Sequence, residues 1–217
     1  MSETLNVIEI YRSIQGESTH SGFPCVMVRL SGCNLECEWC DTTYARQEGT
    51  DLEIDQILES VGEFRCRRVE LTGGEPLLQP ASIELLRRFC DEGFTTLLET
   101  NGSQDISPVD PRVAKIIDVK CPSSRMDREN RWENFNHLGD RDESKFVLAD
   151  RGDFKYAQRV LRDYPQLHEH PVTFSPVMNQ LRPSELAAWM LGANLPCAVR
   201  LGVQLHKIIW PDAARRV

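Results

Sequence analysis

Short apolar runs alternate along the chain with longer stretches whose apolar positions recur at helical spacing. "NVIEIY" (6–11) and "PCVMVRLSG" (24–32) read as strands, and "DLEIDQILESVGEF" (51–64) as a helix, because Ile54, Ile57, Leu58 and Val61 fall on one face. "RRVELTGG" (67–74) is a strand ending in glycines, and "ASIELLRRFCDEG" (81–93) a helix stopped by Gly93. The alternation continues with strands "FTTLLETNG" (94–102), "KIIDVK" (115–120) and "SKFVLAD" (144–150), then a helix over "DFKYAQRVLRDY" (153–164). It closes with a strand "PVTFSPV" (171–177), a helix "PSELAAWMLGA" (183–193) and a last strand "CAVRLGVQLHK" (197–207).

Strand and helix in alternation predict parallel βαβ units. A full eightfold barrel takes about 250 residues. The fold expected here is therefore α/β: a partial, incomplete β/α barrel with about six parallel strands in one domain over 1–217. In such sheets ligands bind at the C-terminal ends of the strands. Polar or glycine-rich motifs stand there repeatedly: "SGCNLEC", "TGGEP", "ETNG", "KCPSS", "SPVMNQ" and "QLHK". The polar segment 123–143 is expected as a partly helical insert near the mouth.

Composition narrows the class. The chain has 217 residues, 41% of them hydrophobic and 27% charged, enough for a core of its own. No apolar run approaches the ~20 residues of a membrane span. "MSETLNVIEI" lacks the basic start and apolar stretch of a secretory signal, which leads to the expectation of a cytoplasmic protein. A net charge of −8 argues against nucleic acid as a partner, since phosphate binding needs a basic face. "RCRR" (65–68) is expected to be solvated surface.

Of eight cysteines, Cys25, Cys66, Cys90, Cys121 and Cys197 are scattered, and most are expected to be small buried hydrophobes rather than a disulfide framework. Cys33, Cys37 and Cys40 are spaced CxxxCxxC. Eight cysteines placed at random give that spacing about once in a hundred such chains, so its neighbours decide its meaning. Buried thiols, or a zinc site completed by Cys66 or His20, are the plain alternatives. Thiolates also hold iron–sulfur clusters. Three cysteines on a four-iron cubane leave one iron open to a ligand that is not protein.

With "LTGGEPLL" one strand further on, the chain resembles the radical S-adenosylmethionine enzymes. The resemblance implies a [4Fe–4S] cluster on Cys33, Cys37 and Cys40, with S-adenosylmethionine chelating the open iron. It also implies that Gly73, Gly74 and Glu75, followed by Pro76, form the motif that meets the cofactor's amino group. Trp39, before the last cysteine, would cover the adenine. "IYRSIQGESTHSGFPCVMVRLSGCNLECEWCDT" is similar to one branch, the 7-carboxy-7-deazaguanine synthases of queuosine-type 7-deazapurine biosynthesis. The likeness runs the length of the chain, through "ETNG", "DVKCPSS", "KFV" and "SPV" to "QLHK".

The resemblance implies a reaction. A reduced cluster splits S-adenosylmethionine into methionine and a 5′-deoxyadenosyl radical. The radical takes hydrogen from C6 of 6-carboxy-5,6,7,8-tetrahydropterin. The ring contracts, ammonia leaves, and 7-carboxy-7-deazaguanine forms. Carried over residue by residue, Ile14, Gln15, Gly16 and Glu17 would meet the pterin. Arg29 would take a carboxylate, a task suited to a guanidinium, and Thr72 would touch substrate. Thr42 would reach a Mg²⁺ ion that also binds the substrate, in keeping with its preference for oxygen ligands. Cys40, Asp41, Glu99 and Asn101, the segment Cys121, Pro122 and Ser123, and the segment Ser175, Pro176, Val177 and Met178 would line the S-adenosylmethionine pocket. Lys145 and His206 are expected as inward polar groups near the substrate. A flavodoxin or ferredoxin would supply the electron, and the chain would form a homodimer. Two departures stand out: "CPSS" replaces the "SPK" of other members, and "IIWPDAARRV" runs past where some members end. The competing readings are another radical enzyme, such as an activase acting on a protein glycine, and a zinc-binding scaffold.

Overall fold

A computed structural model describes residues 3–47, 49–196, 198–212 and 215–216. It contains strands β1 (Thr4–Ile14), β2 (Pro24–Leu30), β3 (Thr50–Glu53), β4 (Arg68–Gly73), β5 (Thr95–Thr100), β6 (Ala114–Val119), β7 (Glu143–Leu148), β8 (Val172–Pro176) and β9 (Val199–Leu201). The helices are α1 (Ile54–Glu63), α2 (Ala81–Asp91), α3 (Arg151–Asp163), α4 (Pro183–Leu191) and α5 (Leu205–Ile209). One sheet runs in the order β3-β1-β2-β4-β5-β6-β7-β8-β9. From β2 onward every neighbouring pair is parallel, as βαβ alternation requires, whereas β1 pairs antiparallel with both β2 and β3. The sheet does not close on itself: β3 and β9 are its two edges.

Each parallel strand points alternate residues to opposite faces. On the outer face Val26, Val28, Leu30, Val69, Leu71 and Leu98 pack with α1 and α2 in one core. Ile117, Val119, Phe146, Leu148, Val172 and Phe174 pack with α3 and α4 in a second. The inner face is different. Its lower part is closed by a small apolar plug of Cys25, Leu97, Ala114 and Ile116 with Met27 against it. Above the plug the same strands carry Arg29, Thr72, Glu99, Asp118 and Lys145 inward.

Three expectations need correction. The segment 51–64 is not all helix: Thr50–Glu53 pairs with β1, and the helix begins only at Ile54, where Glu53 and Gln56 form a reciprocal cap. The last strand is three residues long, not eleven. Gly202 lets the chain leave the sheet, since a Cβ there would stand 2.4 Å from the Thr173 side chain, and "LHKII" then coils into α5. The scattered cysteines are not uniformly buried: Cys25 and Cys121 are, Cys66 and Cys90 are half-buried, and Cys197 lies outside the described residues. The insert 123–143 holds only short 3-10 turns, with Trp132 stacked on Tyr164 at 5.0 Å. Among the described residues no helix is long and apolar enough to cross a membrane.

Candidate active site

A cavity of about 830 Å³ opens at the C-terminal ends of the parallel strands. Its mouth is the loop between β2 and β3, closed at the neck where Gly32 N–H donates to Ala45 O at 2.8 Å. Cys33, Cys37 and Cys40 all line the cavity from this loop. The Leu35 N–H donates to the Cys33 sulfur at 3.4 Å and the Asn101 amide at 3.9 Å. Burial pushes the Cys37 thiol up, and the nearby Lys120 ammonium opposes that shift. Among the described residues no three His, Cys, Asp or Glu side chains are grouped so as to hold a single metal ion. One ion needs all its ligands in one shell, whereas a cubane puts each thiolate on a different iron and so holds the sulfurs farther apart. The three-thiol donor set on a polar cavity fits a cluster with an open corner.

The glycines of "TGGEP" do something more specific than expected. A Cβ on Gly74 would stand 2.1 Å from Gly32 O and 2.6 Å from Cys33 Cβ; one on Gly73 would stand 2.4 Å from Leu30 O. They let β4 press against the backbone that launches the cysteine loop. Glu75 is fully buried and lies off the cavity wall. Its carboxylate accepts from Leu77 N–H at 3.0 Å, Asn101 N–H at 2.7 Å and the Thr100 hydroxyl at 2.9 Å. Glu75 thus ties the glycine turn to the end of β5 and aims Asn101, whose amide also donates to Asn34 Oδ1 at 3.1 Å.

The opposite wall comes from the β1–β2 hairpin and the end of the chain. The Gln15 carboxamide oxygen accepts from Glu17 N–H and Ser18 N–H, and its nitrogen donates to Glu70 at 3.0 Å, so this side chain shapes the loop. Gly16 is required by close packing, because a Cβ there would meet His206 Nδ1 at 2.7 Å. Leu205 N–H donates to Gly16 O, Gln204 donates to Glu17 at 2.7 Å, and Lys207 pairs with Asp41 at 2.8 Å. The C-terminal segment therefore covers the gap between the β9 edge and β1. Arg216 extends it to within 3.7 Å of Glu9, and the Arg215 guanidinium stacks over Tyr44 at 4.2 Å.

Lys145 is the hub of the interior. Its buried ammonium pairs with Glu17 at 2.5 Å and contacts Glu99, with Asp118 at 3.8 Å. Burial resists charging Glu17, but Lys145 and His206 outweigh it and hold this carboxyl at about 2. The same carboxylates outweigh burial at Lys145 and hold its ammonium well above the ordinary lysine range. Arg29 donates Nε to Glu9 at 2.9 Å and Nη2 to the Tyr11 hydroxyl at 3.0 Å, which leaves Nη1 for a ligand. The Thr42 hydroxyl donates to Asp41 at 3.0 Å and keeps its lone pairs.

The cavity wall thus gathers Ile14, Gln15, Gly16, Glu17, Arg29 and Thr72 with the cysteine loop, Trp39, Asp41, Thr42, Gly73, Gly74, Glu99, Asn101, Lys145, Val177, Met178 and His206. It does not gather Cys121, Pro122, Ser123, Ser175 or Pro176. The Cys121 thiol faces Val119 O, Ser123 N–H donates to Asp153, and Ser175 is buried in β8. Sequence reasoning passed over Glu70, Asp118, Lys120, Tyr11 and Tyr44, all of which line the cavity. Glu70 and Thr72, or Asp118 and Lys120, stand two apart at strand ends, the period that puts both on the inner face. Nothing local marks Lys207, Arg215 or Arg216.

Residues 27–122 match the model of the Radical SAM superfamily. The chain is 45% identical to the 7-carboxy-7-deazaguanine synthase of Chlorobaculum tepidum, over 98% of this chain and 97% of that protein. It is 38% identical to the enzyme of the same name from Koribacter versatilis, over 98% of this chain and all of that one. The crystal structure of QueE from Escherichia coli superposes with a TM-score of 0.75 at 20% identity, covering 93% of this chain and 94% of that one, a likeness of fold. Built around that three-thiol mouth and sharing the length of these relatives, the chain belongs to the 7-carboxy-7-deazaguanine synthase family of radical S-adenosylmethionine enzymes.

Proposed function

We infer that the chain converts 6-carboxy-5,6,7,8-tetrahydropterin to 7-carboxy-7-deazaguanine with loss of ammonia, as a radical carbon–nitrogen lyase. The observation that carries this reading is the meeting, in one cavity, of the three-cysteine loop with a charged wall built by the hairpin, β4, β5 and β7. Cys33, Cys37 and Cys40 would hold a [4Fe–4S] cluster. Trp39, Asp41, Gly73, Gly74, Asn101, Val177 and Met178 would hold S-adenosylmethionine. Together the cluster and S-adenosylmethionine supply one-electron reductive cleavage and a carbon radical able to take a hydrogen atom.

The chain's own residues bind, orient and shield. Arg29 offers Nη1 to the pterin carboxylate, backed by Glu9 and Tyr11, so the guanidinium is aimed before substrate arrives. Gly16 and Glu17 present the hairpin loop to the ring, with Gln15 keeping the loop in shape. Thr72 and His206 flank it. The Thr42 hydroxyl would hold a Mg²⁺ ion together with substrate oxygens, a donor set suited to an ion that prefers oxygen and keeps waters. The C-terminal segment keeps water from the lateral gap. A flavodoxin- or ferredoxin-type protein is the reductant, the enzyme is a cytoplasmic homodimer, and the whole chain acts as one domain.

Anaerobic turnover of 6-carboxytetrahydropterin by reconstituted protein tests the reading. Product is expected with Mg²⁺ and much less without it. Thr42→Ala should remove most of the Mg²⁺ response, and Cys37→Ala should abolish product. A colourless protein with stoichiometric zinc, or a brown one that never forms the deazaguanine, overturns it.

A further inference from the structure

The interior of the barrel holds more carboxylates than cations. Glu17, Glu70 and Glu99 meet one ammonium, Lys145, while Asp118 pairs with Lys120 at 2.9 Å. Glu70 has the poorest position of the three. It is 1% exposed, its Oε2 accepts from the Gln15 amide at 3.0 Å, and its Oε1 has no hydrogen-bond partner among the described residues. The register sets Glu70 opposite Leu97, so Glu99, two residues further along β5, is its diagonal neighbour. The groups that face Glu70 are Gln15 from the hairpin loop, Tyr11 from β1, Cys25 from β2, Glu99 from β5 and Lys145 from β7.

A bare carboxylate oxygen buried without a donor is expensive. The same oxygen carrying a hydrogen becomes a donor, and Glu99 is the carboxylate within its reach. Asp118 Oδ1 is also without a hydrogen-bond partner, but its Oδ2 meets the Lys120 ammonium at 2.9 Å, whereas no cation among the described residues pairs with Glu70, so its bare Oε1 marks a proton. Burial, and after it the charge of Glu99, hold the Glu70 carboxyl well above the ordinary carboxylate range. The Lys145 ammonium contacts Glu99, the second carboxyl of the two.

We propose that Glu70 and Glu99 share one proton and form the acid–base pair of the ring contraction. Glu99, whose side chain is 22% exposed on the cavity, is the member that touches substrate; Glu70 stores the proton behind it. The proposal rests on the reaction inferred above, whose product is the substrate less ammonia. In the contracted ring, the C–H bond beside the leaving nitrogen breaks, its proton passes to the pair, and its electrons become a ring double bond. The C–N bond breaks with its electrons on nitrogen, which takes one proton from the pair and departs as ammonia. The pair ends as it began, and no oxidant is consumed.

Glu70→Gln in the holoenzyme separates this role from a structural one, because the amide mimics the shape of the neutral acid but gives up no proton. Turnover is expected to fall about 10²–10⁴-fold, the usual worth of a positioned acid or base, with the pterin KM nearly unchanged. Deuterium transfer from C6-labelled substrate into 5′-deoxyadenosine should continue near the wild-type level, since that step precedes the proton transfers. Glu99→Gln should show the same split. Infrared spectra in H₂O and D₂O should show an isotope-sensitive carboxylic acid band in the wild type that Glu70→Gln removes. Wild-type turnover in E70Q, equal loss of turnover and deuterium transfer, or absence of the band from the wild type overturns the pair. If wild-type enzyme moves no deuterium at all, the inferred reaction fails instead, and the infrared band still decides whether the proton is there.

Discussion

The mouth and the interior of the barrel are both polar, and they are built in opposite ways. The mouth takes its chemistry from eight consecutive residues, Cys33 to Cys40, on a loop whose three thiols face the cavity. The interior takes its chemistry from Glu17, Glu70, Glu99 and Lys145, which come from a hairpin loop and three strands, with up to 128 residues between partners. A loop reserved for a foreign ligand can stay unsatisfied until the ligand binds. A buried charge cannot, so the interior groups are tied to one another, and among the described residues Glu70 Oε1 and Asp118 Oδ1 are the carboxylate oxygens left over. The difference teaches where the molecule keeps its stability: in the interior, with the mouth resting on it.

That contrast can be broken by mutation. Lys145→Met leaves the half-buried Glu17 and Glu99 without their cation, and a loss of about 3 kcal/mol in urea unfolding, the low end for breaking an enclosed pair, is expected. A change below 1 kcal/mol, taken as roughly the worth of an exposed pair, would mean that solvent reaches this network.

Gly74→Ala tests the joint between the two regions. Its methyl would press on Gly32 O and Cys33 Cβ, so about 1–3 kcal/mol of overpacking and a fall in bound iron are expected. Full iron content in this variant would show that the cysteine loop is not seated on the glycine turn.

The third effect is smaller and has a sign. Glu17 titrates near 2 in the folded chain against 4.5 ordinarily. The folded state therefore binds fewer protons in that window, and stability present above 4.5 drains away as pH falls toward 2. Glu70 is shifted the other way, so the folded state binds more protons above 4.5 and stability declines as pH rises. Glu17→Gln should flatten the acid limb and Glu70→Gln the alkaline one, read by melting curves across pH. Smallest of all, Cys37→Ala should change the apoprotein's stability by no more than about 0.5 kcal/mol, as a surface-like substitution does.

How much of this could be read from the chain follows the same divide. The cysteine spacing, the glycine turn and the outer-face periodicity of Ile54, Ile57, Leu58 and Val61 are local, and the structure shows each of them. Local reading failed where a tertiary partner overrode the pattern. Thr50–Glu53 became a strand because β1 offers an edge, and the chain left the sheet after Gly202 because Leu205 N–H finds Gly16 O instead of a strand partner. Cys121, Pro122 and Ser123 follow the right strand, yet they turn into hydrogen bonds with Asp153 and the backbone instead of the cavity.

By itself, the order of residues determined which chemistry the chain can host and which face of each strand meets the helices, because ligand spacing and side-chain periodicity act within a few residues. Only the tertiary structure decided which carboxylates share Lys145, that Glu70 is buried without an ion-pair partner among the described residues, and that the C-terminal segment covers the lateral gap. Those outcomes depend on distances between residues far apart in the chain, and burial, which sets their energies, exists only once the sheet has formed.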